Sequence, residues 1–82
     1  MQTIYLDASK YATPQALHEA LKVLLNLPSY YGCNADALND CLSERPTPLR
    51  LWIASRGEGE VARALDLICQ VVRDNGGTVK EL

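Results

Sequence analysis

The chain has 82 residues, of which 48% are hydrophobic, and its formal net charge is -2. A chain of this length forms one domain at most and hides only about 60% of its unfolded surface on folding. The composition is that of an ordinary globular protein, which excludes collagenous, disordered and membrane-embedded classes. No apolar run approaches the roughly 18 residues of a membrane span, and the first residues lack a signal-peptide pattern. We therefore expect one domain, residues 1–82, in the cytoplasm and without a membrane partner.

The net charge bears on whether the chain binds nucleic acid, and the cysteines bear on whether it forms disulfides or a metal site. Eight basic residues stand against ten acidic ones, whereas nucleic-acid binders usually carry a basic excess, so direct binding of nucleic acid is not expected. The acidic excess is local, because residues 23–44 contain three acids and no Lys or Arg. Cys33, Cys41 and Cys69 cannot all pair within the chain and have no C-x-x-C spacing. This favours reduced thiols over disulfides or a metal clip.

The first half of the chain predicts a strand followed by a helix. In residues 3–7, Ile4 and Leu6 share one side of an extended segment. Thr13 is a good N-cap and Pro14 suits the first position of a helix. Apolar residues then recur at helical spacing, at Leu17, Leu21, Leu24 and Leu25.

A turn and a second helix come next. Pro28 restricts the residue before it and is expected to end the first helix. Gly32 is expected to supply the unusual backbone angle of the turn, and Asn34 to cap a helix over residues 35–43. The apolar side of that helix consists of Ala37, Leu38, Cys41 and Leu42.

The second half predicts a strand, a helix and a strand. Residues 49–53 have the composition of a mostly buried strand, and Asn75-Gly76-Gly77 stops the third helix before a last strand over residues 78–82. The stripe of the third helix is Val61, Leu65, Ile68 and Val72, widened by Leu67 and Val71. Alternating strands and helices are typical of parallel crossovers, so the prediction is an α/β layered fold rather than a helical bundle.

Few residues offer catalytic chemistry. The only histidine, His18, is expected to be a surface or boundary side chain rather than a base, and no local motif pairs it with Ser or Cys. The segment Gly57-Glu58-Gly59 is acidic and would repel a phosphate. Asp36 and Asp40 leave open a small enzyme with paired carboxylates, or half of a metal site. We expect neither an enzyme nor a cofactor.

The second helix carries a column of like charge. Asp36 and Asp40 lie one turn apart and Glu44 a further turn on, with no basic residue in the column to offset them. On charge alone, a solvated helix face explains this column. Tyr30 and Tyr31 stand beside it, however, and aromatic residues next to a charge cluster are typical of an interface. One of the two tyrosines is expected to lie in the core.

These segments resemble a known family. Residues 17–21 read Leu-His-Glu-Ala-Leu, and residues 27–42 follow the pattern L-P-x-Y-Y-G-x-N-x-D-A-L-x-D-C-L. Both closely resemble the helix, loop and helix of the barstar family, which are intracellular ribonuclease inhibitors. The resemblance covers roughly residues 14–42, and residues 48–52 look like the middle strand of that family.

The resemblance implies a small single domain with a three-stranded parallel sheet packed with helices. It also implies a ribonuclease inhibitor of antitoxin or immunity type, whose acidic helix and tyrosine loop enter the active site of a basic ribonuclease in place of RNA phosphates. Asp40 falls on the position that meets the catalytic pocket. The alternative is a barstar-fold module for a basic partner other than a nuclease. Carried over position by position, the contact residues are Tyr30, Asn34, Ala35, Asp36, Asn39, Asp40, Ser43 and Glu44.

The chain also departs from the family pattern. Asn39 stands where the family has tryptophan, Cys33 replaces an acid, and residues 43–45 do not match a Gly-Trp pair. The connection after Trp52 is shorter, so a small helix of the family is expected to be missing. These departures bear on which ribonuclease is the target and not on the inhibitory mode. An acidic contact of the family's last helix is not carried over, because it lands on Gln70, Val71 or Arg73.

Overall fold

The computed structural model describes residues 2–82, and Met1 lies outside the described part. The order of strands and helices predicted from the sequence is confirmed. None of the described helices is long and apolar enough to cross a membrane. In chain order the elements are β1 (Gln2–Asp7), a short 3₁₀ helix (Ala8–Lys10), α1 (Pro14–Leu24), α2 (Ala35–Ser43), β2 (Leu49–Ser55), α3 (Gly59–Asp74) and β3 (Thr78–Glu81).

The three strands form one parallel sheet in the order β1-β2-β3. In its register Ile4 pairs with Leu51, and Leu51 pairs with Val79. Side chains alternate between the two faces of a strand, so these residues form one row on the inner face. This inner row is buried or half-buried, whereas the neighbouring row is half-buried or exposed. The helices therefore cover one face of the sheet and leave open the face that carries Tyr5, Trp52 and Lys80.

Local side-chain chemistry determines where α1 and α2 begin. Thr13 Oγ1 accepts a hydrogen bond from the backbone N–H of Ala16 (3.1 Å), and Pro14 occupies the first turn. Asn34 Oδ1 accepts from the N–H of Ala37 (2.8 Å) at the start of α2. Both predicted N-caps are confirmed. A cap depends only on neighbours in sequence, which is why the pattern could reveal it.

The end of α1 differs from the prediction. The helix ends at Leu24, and Asn26 then adopts a left-handed backbone conformation with φ 52°. The N–H of Leu27 donates to the carbonyl of Lys22 (2.9 Å), which closes the helix in a Schellman arrangement. The prediction that Pro28 ends the helix is therefore wrong, because the chain has already left the helix before the proline.

The predicted stop after α3 is confirmed and has the same geometry. Gly76 adopts φ 80°, and the N–H of Gly77 donates to the carbonyl of Val72 (2.9 Å). A Cβ on Gly77 would lie 2.7 Å from Cγ1 of Val72, so no side chain fits there. The two glycines therefore turn the chain directly from α3 into β3.

The hydrophobic core lies between the inner face of the sheet and the three helices. Two residues predicted to join the apolar stripes do not: Leu24 is exposed, and 58% of the Leu67 surface is exposed. Cys69 is buried instead, so the stripe of α3 is widened by Cys69 on one side and by Val71 on the other, and Leu67 lies outside it. The cysteines are free thiols, as predicted. All eight residues predicted for the core are buried: Leu17, Leu21, Leu38, Leu42, Leu51, Ile53, Leu65 and Ile68.

Two leucines of α3 test this orientation. Leu65→Ala is expected to lower the free energy of unfolding by about 2 to 5 kcal/mol, because it opens a cavity in a small core. Leu67→Ala is the matched control on the same helix and should change it by no more than about 0.5 kcal/mol. Denaturant unfolding of both variants measures the difference. Equal losses would contradict the orientation of α3.

Candidate functional site

The predicted contact residues lie on one continuous part of the surface, formed by the loop before α2 and the outward side of α2. Leu38 and Leu42 hold one side of α2 in the core, so the residues on its other side face solvent, namely Asp36, Asn39, Asp40 and Ser43. All of the predicted contact residues are exposed except Ala35, which is half-buried. We call this set the acidic surface: Tyr30, Asn34, Ala35, Asp36, Asn39, Asp40, Ser43 and Glu44.

The two tyrosines of the loop point to opposite environments. Tyr31 is buried, and its hydroxyl lies 2.6 Å from Nδ1 of His18 on α1. Tyr30 has 83% of its surface exposed. The loop is held at two further points, because the N–H of Tyr31 donates to the carbonyl of Pro28 (3.0 Å) and Nζ of Lys22 donates to the carbonyl of Ser29 (3.3 Å). The prediction that one tyrosine belongs to the core is confirmed.

The prediction for His18 is wrong, because only 4% of this residue is exposed. Leu17, His18 and Leu21 all face the core at helical spacing, and the phenol of Tyr31 supplies the hydrogen-bond partner that a buried ring nitrogen requires. Burial lowers the pKa of His18 and raises the pKa of Tyr31. The pair is therefore neutral at pH 7, and the histidine supports the loop rather than facing solvent. The spacing within α1 was a signal for this position.

The start of α2 is held by Asn34 itself. Its Nδ2 donates to the carbonyl of Gly32 (3.1 Å) while its Oδ1 caps the helix. Cys33, and not Gly32, adopts the left-handed conformation, with φ 54°. A Cβ on Gly32 would lie 3.3 Å from Nδ2 of Asn34, so this glycine permits a close approach. The prediction that Gly32 supplies an unusual backbone angle is wrong.

The carboxylates of the acidic surface form no ion pair with any residue of the described chain, 2–82. Within residues 2–82, the ion pairs join Arg56 to Asp66 and to Glu81, away from α2. Burial raises the pKa of the Cys41 thiol, and the negative charges of Glu44 and Asp40 raise it further. The acidic surface thus presents uncompensated charge on a helix whose other side is fixed.

Arg45 follows the acidic column in sequence but is directed elsewhere. Its Nη1 donates to the carbonyl of Leu25 (3.1 Å), and its Nη2 donates to the side chain of Gln2. Arg45 therefore ties the end of α2 to the end of α1 and to β1. Sequence reasoning missed this role, since the partners are 20 and 43 residues away.

A second contact that the sequence did not predict joins α2 to the end of α3. Oδ1 of Asn39 accepts a hydrogen bond from Nδ2 of Asn75 (2.8 Å), which also donates to the carbonyl of Val71 (2.9 Å). Part of the Asn39 amide is therefore used within the chain. No pattern in the sequence predicts this pair.

The alternative of a metal site is not supported by the described side chains. Across residues 2–82, no group of three or more His, Cys, Asp or Glu side chains is placed to hold a metal ion. Asp36 and Asp40 would need further ligands, because both Ca²⁺ and Mg²⁺ prefer about six or more oxygen atoms.

The chain is similar to proteins of a known family. The model of the family described as Barstar (barnase inhibitor) matches residues 1–78. The chain belongs to the barstar family. It is also 44% identical over 43 residues to the "Putative ribonuclease inhibitor YrdF" of Bacillus subtilis (strain 168). That alignment covers 52% of this chain and 47% of the relative, so the chain spans about half the length of the curated relative that it matches.

The contact between His18 and Tyr31 predicts a pH dependence of stability. Burial lowers the pKa of folded His18 below its ordinary value of 6.5, so the unfolded state binds the proton more tightly. The free energy of unfolding should be constant between about pH 6.5 and 8 and fall as the pH is lowered from 6.5 towards the pKa of the folded state.

His18→Gln is the control, because glutamine keeps a hydrogen-bonding group but does not titrate. The variant should show no fall in the free energy of unfolding between about pH 5 and 6.5. Asp7, whose pKa is lowered chiefly by a side-chain hydrogen bond from Ser9, contributes only near and below its ordinary value of 3.8. Denaturant unfolding at several pH values measures this dependence. If the free energy of unfolding falls equally with pH in both proteins, the fall does not come from His18.

Proposed function

We propose that this protein inhibits a ribonuclease by covering its active site with the acidic surface. The observation that carries the proposal is the row of Asp36, Asp40 and Glu44, which are exposed and free of ion pairs within residues 2–82. Membership in a family described as barnase inhibitors supports the class of partner. The name of the B. subtilis relative supports it as well.

The mechanism is steric and electrostatic. An RNA-cleaving active site must hold phosphate with cationic side chains, and carboxylates one helical turn apart offer those cations an alternative ligand. Complementary charge speeds the encounter and favours the correct orientation. The helix is held through its buried side, so little conformational entropy is lost on binding. The protein needs no cofactor for this action.

Within the acidic surface, we assign the central role to Asp40. Asp36 lies in the first turn of α2, where the helix dipole already favours its charge. Asp40 lies in the middle of the column and receives no such benefit, while the Ser43 hydroxyl donates to its backbone carbonyl (2.8 Å) and leaves the carboxylate free. Tyr30 is the exposed aromatic residue of the loop and would fill a base-binding pocket.

The free cysteines support action in a reducing compartment, since thiols persist where glutathione keeps them reduced. We therefore propose an antitoxin or immunity protein of the cytoplasm, which protects its cell from a basic ribonuclease. In this role the protein itself binds neither nucleic acid nor membrane.

A second candidate is a barstar-fold module for a basic partner that is not a nuclease. Asn39, which stands in place of an aromatic residue of the family, is bound to Asn75 and offers less contact area. Arg45 is likewise directed inward. These departures change the surface beside the acidic column, which fits a basic partner of another class as well as a different ribonuclease.

Asp40→Ala tests the proposal with barnase as the enzyme. The substitution is expected to weaken inhibition of RNA cleavage by at least about 2 kcal/mol, mostly through faster dissociation, because it leaves desolvated cations unpaired. Asp36→Ala should weaken it less. The thermal stability of both free variants should be unchanged or slightly raised, since each removes repulsion along the helix.

Glu19→Ala is the matched control, since it removes one exposed negative charge from α1. It should alter the association rate slightly and leave dissociation unchanged. An Asp40→Ala protein that inhibits as well as the unchanged chain would refute the assigned role. A chain that forms no complex with barnase or with any of a panel of other small basic ribonucleases would contradict the first candidate and favour the second.

The protein alone is expected not to hydrolyse RNA, because its only histidine is buried against Tyr31. The measurement is an RNA cleavage assay on the purified chain and on His18→Gln and Asp40→Ala. RNA cleavage that is lost with either substitution would show an enzyme instead of an inhibitor.

A further inference from the structure

Leu67 is a large apolar side chain left on the outward side of α3. It has 58% of its surface exposed, although its helical spacing predicts a place in the core. Along the same side of the helix its neighbours Arg63 and Gln70 are polar and exposed. A single exposed leucine is ordinary in a soluble protein, so its surroundings decide whether it has a role.

Leu67 borders a groove of about 380 Å³ that begins at α2. The groove is lined by Ala64 and Leu67 from α3, by Pro14 and His18 from α1, and by residues 33–35 from the loop and the first turn of α2. Asn34 and Ala35 belong to this lining and also to the acidic surface. The apolar groove and the acidic surface are therefore continuous.

The helix α2 by itself is shorter than a standard protein interface is wide. The helix has nine residues, so it is about 14 Å long. A standard interface buries about 800 Å² on each partner and has an apolar centre with a polar rim. The outward side of α2 is almost entirely polar, and a partner that covers it must extend onto neighbouring elements to meet that requirement.

We propose that the partner-binding surface continues from α2 onto α3, where Leu67 and the groove beside Ala35 receive an apolar side chain of the ribonuclease. This inference rests on the proposed function. The partner would then carry an apolar group at the rim of its cationic active site, in reach of the start of α2. Arg63 and Glu60 bound the far end of the groove.

The carboxylates and the apolar groove would contribute differently to the choice of partner. Every phosphate-binding active site presents cations, so the carboxylates select for that class of partner without distinguishing its members. An apolar contact at the rim depends on the shape and residue of one particular enzyme. Leu67 would therefore contribute to the choice among ribonucleases.

Leu67→Gln tests the proposal, because glutamine keeps the length and helix preference of the side chain and removes its apolar end. A neutral residue is needed, since an added carboxylate would itself attract a cationic partner. With barnase as the probe, we expect the inhibition constant to rise at least about tenfold, mainly through faster dissociation. Leu67→Met keeps an apolar side chain and should inhibit as strongly as the unchanged chain.

Val23→Gln is the matched control, since Val23 is 80% exposed on α1 and lies outside the groove. It should leave the inhibition constant within about twofold, as expected for a residue outside an interface. Raising the salt concentration from about 50 to 500 mM should leave the rise in inhibition constant caused by Leu67→Gln unchanged. It should reduce the rise caused by Asp40→Ala, because salt screens charges and not apolar contacts.

Each result decides a different point. Full inhibition by Leu67→Gln, with a loss in Asp40→Ala, would overturn this inference and leave the proposed function intact. Failure of the unchanged chain to inhibit barnase and every other ribonuclease of a panel of small basic enzymes would overturn the proposed function and the inference with it. A large fall in the Tm of Leu67→Gln would show that Leu67 acts in the fold, which also overturns the inference.

Discussion

The buried contact between His18 and Tyr31 is the constraint on which the proposed binding surface depends. It joins α1 to the loop before α2 and places Tyr31 in the core, so the preceding residue in the loop, Tyr30, faces solvent. The same loop leads into the Asn34 cap, which sets the first turn of α2 and hence the direction of Asp36 and Asp40. A neutral histidine inside the fold thus supports a charged surface outside it.

The buried side and the acidic side of α2 have opposite effects on the stability of the helix. Leu38 and Leu42 stabilise the helix by burial. Asp36, Asp40 and Glu44 repel one another and weaken it slightly, with no cation of the described chain beside them. In the proposed complex, a cationic partner would offset this repulsion. Such a local cost is common where a surface serves binding rather than stability.

Family membership establishes the architecture, and the departures from the family pattern concern the surface. The parallel sheet, the loop and α2 follow the family. Asn39, by contrast, is hydrogen-bonded to Asn75. Arg45 is hydrogen-bonded to Leu25 and Gln2 instead of facing outward. Leu67 adds apolar area beside the start of α2. The contact chemistry proposed here is accordingly that of this chain and not of the family as a whole.

The sequence by itself determined the elements, their order, the N-caps at Thr13 and Asn34, the eight core residues and the acidic column. Each of these has a cause within a few neighbouring residues, such as helical spacing or a side chain that caps the next turn. Helical spacing in α1 was a signal for the burial of His18, but only the tertiary structure decided its contact with Tyr31 and the exposure of Leu67. It alone also brought Asn75 to Asn39 and Arg45 to Leu25. These outcomes depend on how α1, α2 and α3 are rotated against one another, and such rotations follow from packing between residues far apart in the chain.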